Sequence, residues 1–561
     1  MITSLELENV RLFDGEGWSF PISPIAVFCG TNSSGKSTLL KALLLLKQSI
    51  APRDSSESLP GKLIFTSSQA DIGSYHSLVT KNEKHRDIVL GITIQDMVST
   101  HFIHSLRALK GEESRASAKE RRVALDPYSL KCSFTFGLKK NRRTALSNTG
   151  TAVGIASSEE EGIDSNEIFT NQGFLKTASF EMSHENEILL SFQVVSSIAG
   201  IGTENNTERY ELILPRSYMD SFTKGLGIGL IGIETVDTKE PSDVRKYEAT
   251  LRGILPHGLR AKWLEHRRPK GTSRTKASIR AQPLSDLPLP PHIGQLINDL
   301  RNTLSKIHYL GPFRTPAKRY YIAHDDASPD LDSTGEFLPF ILQRSSEARV
   351  LGAFSSKSDS LARTTLAQAL NSWVHYLRTG DRGNPSDIFE EIEPVTSNEV
   401  LVELMLKTPV GDNSYALTDS GFGYSQILPI LVRGLLAEPG STLIVEQPEL
   451  HLNPALQVRL AEFFVGMMRS GKQVLLETHS EHLVNAIRIL VAEDETSEIA
   501  SKAGIIFMDA ESGRPSVRKL DILPDGTIPD WPQAFFGEAI SLSARLLRAQ
   551  GRFRTSKSRP T

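Results

Sequence analysis

The first twenty residues, MITSLELENVRLFDGEGWSF, alternate apolar and polar side chains until Gly15 and Gly17 interrupt them, a pattern that predicts a β-hairpin. The hairpin feeds the stretch AVFCGTNSSGKSTLLKALL at 26–44: a short apolar run, a turn rich in Gly and Ser, then apolar positions at helical spacing. From about 75 to 300 the chain changes character. Strand-like pieces (DIVLGITI, SLKCSFTFGL, ILLSFQVV, RYELILP) are separated by long polar stretches such as NTGTAVGIASSEEEGIDSNE, whose composition resists packing. This predicts an inserted β-rich region with mobile loops.

Beyond it, residues 290–310 have helical spacing, IHYLGPF reads as a strand and turn, and 360–380 is expected to be a helix. Strand-like segments at 400–406 and 441–446 flank a Gly-rich turn with a helix, and QVLLE at 473–477 is a further strand. There is no internal repeat and no heptad run long enough for a coiled coil. The expected divisions are 1–75 and 301–495 as two parts of one α/β unit, 76–300 as the insertion, and 496–561 as a C-terminal extension with a basic tail.

Composition narrows the class without naming a chemistry. With 561 residues, 39% hydrophobic and 23% charged, the chain has room for about two to four domains. A formal net charge of −3 carries no global polyanion-binding signature, so any nucleic-acid contact has to be local. Two cysteines, Cys29 and Cys132, are too few for a disulfide framework or a structural zinc site. No charged-then-apolar leader is present, and the run LLKALLLL at 39–46 is interrupted by Lys41 and too short to span a bilayer, so a cytoplasmic location is expected.

The candidate chemistry lies in the Gly- and Ser-rich turn. Gly30, four intervening residues, then Gly35-Lys36-Ser37 make a P-loop in its required context of strand, turn and helix. Gly30, Asn32, Ser33, Ser34, Gly35, Lys36, Ser37 and Thr38 are the expected ATP contacts. Backbone N–H groups of the turn and helix N-terminus have no intrahelical partner and would wrap the phosphates. Lys36 would reach the β/γ-phosphates and Ser37 would ligate Mg²⁺. A second candidate, VEQPELHLNP at 445–454, closes an apolar run with Glu446 and then places the amide of Gln447 where a second carboxylate is expected.

In all, 416 positions separate Gly30 from Glu446, a split that a sheet with non-sequential neighbours accommodates. LTDSGFGYSQILPIL at 417–431 is a Gly-rich turn opening a helix, and VLLETHSEHLV at 474–484 ends a strand in Thr478-His479-Ser480. With the P-loop, these elements resemble the ABC-type ATPases of the SMC, RecF and OLD class, in which two heads sandwich ATP. The resemblance implies an α/β fold: an ABC-ATPase-like P-loop head with a large β-rich insertion and a short C-terminal extension. IHYLGPFRTPAKRYY at 307–321, STGEFLPFIL at 333–342 and GTIPDWPQAFFGEAI at 526–540 are similar to a bacterial subfamily of anti-phage loci that includes Septu and retron-associated ATPases.

Carried over residue by residue, the resemblance makes Glu446 the Walker B acid that holds Mg²⁺ and His479 the switch histidine that reads the γ-phosphate. Ser420, Gly421 and Gly423 match the signature turn that caps ATP bound by the opposite subunit, although the turn departs from the family's LSGGQ form. Gln69 is a candidate Q-loop ligand of Mg²⁺ or an ordinary polar loop residue. Arg11 approaches the nucleotide or is a plain surface arginine, and His482 is expected on a helix surface. In the family the position after the Walker B acid commonly carries the glutamate that deprotonates water; Gln447 occupies it here. A slow ATPase is expected, unless Glu449 or Glu477 takes over that role.

The resemblance also implies a homo-oligomer, at least a dimer, and two functions compete. One is an ATP-gated regulator of a separate nuclease, such as an HNH protein, in anti-phage defence. The other is a repair-type ATPase acting on DNA directly. About eighty residues follow His479, too few for the acidic Mg²⁺-binding nuclease domain of OLD proteins. Residues 257–280, with Arg260, Lys262, Arg267, Arg268, Lys270, Arg274, Lys276 and Arg280 around Trp263, are a DNA- or RNA-contacting segment or a solvated loop.

Overall fold

The structure, a computed structural model, describes residues 1–50, 60–67, 70–83, 85–110, 125–142, 167–197, 209–226, 229–231, 244–267, 278–281, 285–322, 332–355, 358–382, 391–397, 401–407, 414–419, 423–510, 515–532, 545 and 548. The chain divides into two compact units, Met1–Pro21 with Thr38–Ile307, and Ile22–Ser37 with His308–Thr561.

The first unit is built on an antiparallel sheet. Ile2–Glu8 pairs with Trp18–Pro21, Leu5 opposite Phe20 and Leu7 opposite Trp18, as the alternating N-terminus predicts. The same strand pairs on its other edge with Ile88–Ser99, so the sheet of the expected insertion also includes the N-terminal hairpin. Leu125–Arg142, Glu167–His184, Glu187–Ser197, Arg209–Pro215, Val244–Arg252 and Leu255–Arg267 follow in sheet order. Period-two alternation puts Leu90, Ile92, Ile94, Leu130, Cys132, Phe134, Phe136, Phe180 and Phe192 in the core. Helices Thr100–Leu109, Arg216–Leu226 and Pro291–Ser305 belong to this unit, the last burying Ile293, Leu296, Ile297, Leu300 and Leu304 on one stripe. The polar stretch at 148–166 lies outside the described residues.

The second unit holds a six-stranded mixed sheet in the order Ile307–Leu310, Thr442–Glu446, Gln473–Glu477, Ile25–Gly30, Ala503–Asp509, Ser516–Asp521. Thr442–Glu446, Gln473–Glu477, Ile25–Gly30 and Ala503–Asp509 run parallel, which covers both faces and accounts for their uninterrupted apolar sequences. The last two strands come from the 496–561 segment. Helices Gly423–Leu436, Pro454–Arg469 and Glu481–Glu493 supply Leu428, Leu431, Phe463, Phe464, Leu483 and Ile487 to its core.

The helix expected at 360–380 begins later, at Leu366, because Ser358–Thr365 is a strand paired with Arg349–Ser355. The Thr365 hydroxyl accepts from the Gln368 N–H and caps the new helix start, and Gly380, at φ +80°, ends it at 379. No described helix is long and apolar enough to cross a membrane.

Candidate nucleotide site

The strand Ile25–Gly30 is buried throughout and delivers the chain to the P-loop. Gly30 has φ +137°, and a Cβ there would lie 1.8 Å from the Met508 carbonyl oxygen, so only glycine fits. That same carbonyl accepts the Thr31 N–H at 3.1 Å, and the Thr31 hydroxyl donates to Asp509 Oδ1 at 2.9 Å. Ser33 at φ +60° and Gly35 at φ +100° turn the chain into the helix Lys36–Ile50, whose first N–H groups have no intrahelical acceptor. Lys36 is buried, and its ammonium donates to the carbonyls of Thr31 at 2.7 Å and Gly30 at 3.2 Å. Burial draws its pKa down, opposed by the charge of Glu477.

Parallel pairing of Thr442–Glu446 with Gln473–Glu477 sets Glu446 directly opposite Glu477 at the strand ends. Both carboxylates are buried, and Glu477 Oε1 accepts the Ser37 hydroxyl at 2.8 Å. The Tyr309 hydroxyl donates to Glu446 Oε1 at 3.1 Å. Burial, with Glu446 alongside, pushes the Tyr309 phenol well above its ordinary range and keeps it a donor. Arg314, buried at 4% exposure, donates from Nη2 to the Glu446 carbonyl at 2.9 Å and from Nη1 to the Gln447 carbonyl at 3.5 Å. Burial lowers its pKa to about 10, with Glu449, Tyr309 and Glu446 holding it up.

Gln447 sits at φ +44°, its N–H donating to the Glu477 carbonyl at 2.7 Å. Glu449 turns back on the end of the strand Gln473–Glu477: its carboxylate accepts the His479 N–H at 2.7 Å and the Thr478 hydroxyl at 2.9 Å. Burial raises the Glu449 pKa against those hydrogen bonds. His479 is held below its ordinary pKa by burial and then by Lys36.

These residues suit a nucleotide with a divalent cation. The Ser34 hydroxyl is buried with no protein hydrogen-bond partner among the described residues, in a loop that also carries an ammonium and unpaired helix N–H groups. The Ser37 hydroxyl and the Glu446 and Glu477 carboxylates are hard oxygen donors of the kind Mg²⁺ takes. Bound ATP and Mg²⁺ supply a transferable phosphoryl group and the positive charge that neutralises it. Residues 1–215 and 351–484, together more than half of the chain, match the family described as AAA ATPase domain. The chain belongs to this family.

No curated protein matches this AAA ATPase. Among solved structures it is similar to an SmcHead bound to the C-winged helix domain of ScpA, at 11% identity over 93% of this chain and 98% of that one, with a TM-score of 0.34. The SMC head domain from Thermotoga maritima aligns at 8% identity over 93% and 99% of the two chains, with a TM-score of 0.31. An Smc head domain with an extended coiled coil, bound to the C-terminal domain of ScpA derived from Pyrococcus furiosus, aligns at 10% identity over 93% and 96%, also at 0.31.

The second unit of the ATPase brings together Gly30, Asn32, Ser33, Ser34, Gly35, Lys36, Ser37, Glu446, Gln447 and His479; Thr38 is the first residue assigned to the other unit. Gln69, Ser420 and Gly421 lie outside the described residues, and Gly423 opens the helix Gly423–Leu436, where a Cβ would meet no atom of the described residues within 4 Å. His482 is exposed on its helix. Arg11 lies in a first-unit turn at φ +51°, its N–H donating to the Leu78 carbonyl at 2.7 Å. Of the basic segment, Arg260 donates to Asp286 at 2.8 Å and to Glu248 at 3.4 Å, while the side chains of 262–267 and residues 268–277 lie outside the described residues. Tyr309, Arg314 and the Ser37 contact of Glu477 were not assigned from sequence. IHYLGPFR contained the first two, but nothing local marks a tyrosine or arginine 137 and 132 positions away as a partner of Glu446.

Proposed function

We propose that this ATPase is a slowly cycling, ATP-gated switch that dimerises around nucleotide and regulates a separate nuclease, such as an HNH protein, in bacterial anti-phage defence. The observation that carries the slow cycle is Gln447. Its backbone N–H donates to the Glu477 carbonyl and its backbone carbonyl accepts from Arg314, so the backbone that carries a carboxamide is fixed beside Glu446, where the resemblance expects a general base. A carboxamide orients water but cannot accept its proton near neutral pH, which forgoes roughly 10²- to 10⁴-fold in rate. Glu446 keeps its part in holding Mg²⁺ with Ser37, Lys36 its part in binding phosphate, and His479 its part in reading the γ-phosphate. Gln69 is proposed as a further Mg²⁺ ligand.

Closure requires a P-loop from one copy and the Ser420–Gly423 turn from the other, so the affinity difference between open and closed states drives dimerisation. A long-lived closed state suits a regulator that waits for a trigger better than a motor. The alternative, direct action on DNA through 257–280, is less favoured because Arg260 is already engaged by Asp286 and Glu248. Sedimentation of the purified chain with ATP and Mg²⁺, together with a DNA-cleavage assay in Mg²⁺ and Mn²⁺, tests the reading. The expected result is an ATP-dependent dimer that leaves DNA intact. Metal-dependent cleavage by the chain alone would overturn the separate-nuclease reading.

A further inference from the structure

The strand Gln473–Glu477 ends in a residue that its surroundings do not call for. Val474, Leu475 and Leu476 are buried, as a parallel strand covered on both faces requires, yet Glu477 is only 5% exposed as well. Burying a carboxylate costs free energy unless it is paired, so a glutamate in this core points to a ligand-directed part. Its backbone is held from two sides. The Glu477 carbonyl accepts the Gln447 N–H at 2.7 Å, and the next N–H, of Thr478, donates to the Phe28 carbonyl at 3.0 Å.

Strand register decides which of the two strand-end acids lies beside the P-loop. Glu446 is opposite Glu477, and Glu477 is opposite Phe28, two residues before Gly30. With neighbouring strands about 4.8 Å apart, the Glu446 backbone is two spacings, about 10 Å, from the P-loop strand, and that of Glu477 only one. The side chains are engaged accordingly. Tyr309 donates to Glu446 from the strand on its far side, while the Ser37 hydroxyl donates to Glu477 Oε1 at 2.8 Å. A hydroxyl has one hydrogen and two lone pairs. With its hydrogen directed at Glu477, the Ser37 oxygen keeps both lone pairs for a cation, and a carboxylate acceptor polarises the O–H bond so that the oxygen is a stronger ligand.

We propose that Glu477 is a positioning residue of the metal site, orienting the Ser37 hydroxyl so that its oxygen faces Mg²⁺. The inference rests on the reading above that Ser37 ligates Mg²⁺ with nucleotide, and adds how that ligand is set. It also divides the two acids: Glu446 is steadied by Tyr309, and Glu477 steadies the P-loop. Because the Glu477 carbonyl also holds the Gln447 N–H, the turn after Glu446 and the P-loop ligand are fixed from one residue.

The test uses the full chain and compares calorimetric ATP affinity in Mg²⁺ with that in EDTA, so the readout is the gain that metal brings and not turnover. Glu477→Gln keeps the shape and an acceptor oxygen but loses the charge; Glu477→Asp keeps the charge but withdraws it by one methylene. Each is expected to cut the Mg²⁺-dependent gain about tenfold, the difference between a charge-assisted hydrogen bond and a neutral or lost one. In EDTA, Glu477→Gln should bind ATP at least as tightly as the wild type, because a negative charge near the phosphates is gone. Added to Ser37→Ala, either change should cut the gain less than about twofold, since Glu477 acts through the hydroxyl. A gain retained in both variants, or an equal cut with and without the Ser37 hydroxyl, overturns the inference while Mg²⁺ binding stands. A loss of ATP affinity as large in EDTA as in Mg²⁺ overturns it too, because it marks a residue that only supports the fold. If the wild type gains nothing from Mg²⁺, or Ser37→Ala keeps the whole gain, the reading of Ser37 as a metal ligand falls and the part of Glu477 with it.

Discussion

Tyr309→Phe removes a single oxygen from the candidate site and leaves the ring packing in place. That oxygen donates to Glu446 Oε1 at 3.1 Å, and both residues are buried, so bulk water does not take over the lost contact. A hydrogen bond to a charged acceptor is worth about 1.5–3 kcal/mol. If Glu446 needs that bond to stay oriented through the hydrolytic transition state, the loss converts to a fall in kcat of about 10- to 150-fold. The P-loop is untouched, because Lys36 donates to Thr31 and Gly30 and not to this pair, so ATP affinity without Mg²⁺ is expected to match the wild type. Steady-state phosphate release across a Mg²⁺ series, beside nucleotide binding in EDTA, separates the two effects. A variant that turns over within twofold of the wild type at every Mg²⁺ concentration would refute the claim that Tyr309 positions Glu446.

Lys36→Ala removes the buried ammonium of the P-loop and is expected to abolish ATP binding by calorimetry; retained affinity would contradict the loop's assignment. Gln447→Glu is expected to raise basal turnover by about 10²-fold or more and shorten the closed state. Glu449→Gln should change turnover less, because that carboxylate is engaged by Thr478 and His479; a fast wild type that collapses on Glu449→Gln would make Gln447 a bystander. Lys472→Met addresses stability instead: Lys472 is 1% exposed, its ammonium donates to the Gly434 carbonyl at 2.7 Å, and burial lowers its pKa from 10.5 to about 8. Between those two values the unfolded chain holds the proton and the folded chain releases it, so wild-type stability rises with pH across that window. Below it the folded state carries a cost of about 3 kcal/mol. The variant should be more stable at pH 7 by about 1–3 kcal/mol after the lost hydrogen bond is counted, and denaturant melts from pH 7 to 10 should lose that slope. An unchanged slope would show that Lys472 is not its source.

Local chemistry was legible in the amino-acid order. Gly30 must be glycine because its backbone sits at φ +137° against Met508, and a Gly-rich turn between an apolar run and a helical pattern announces such a loop without any distant partner. The N-terminal hairpin and the all-apolar parallel strands follow from period and burial in the same way. Helix limits depended on more: 360–380 has helical apolar spacing, but pairing of Ser358–Thr365 with Arg349–Ser355 claims its first turn for a sheet, a choice made by a neighbour and not by propensity. The candidate site shows the same division. Glu446 and Lys36 were readable because each closes a recognisable local motif. That Glu477 stands opposite Glu446 and accepts the Ser37 hydroxyl, that Glu449 engages the Thr478–His479 turn, and that Tyr309 and Arg314 hold the acid strand all depend on strand order and register. Those are tertiary facts: a buried carboxylate must be satisfied by some donor, but which of the chain's many donors reaches it is decided only when non-sequential strands are laid side by side.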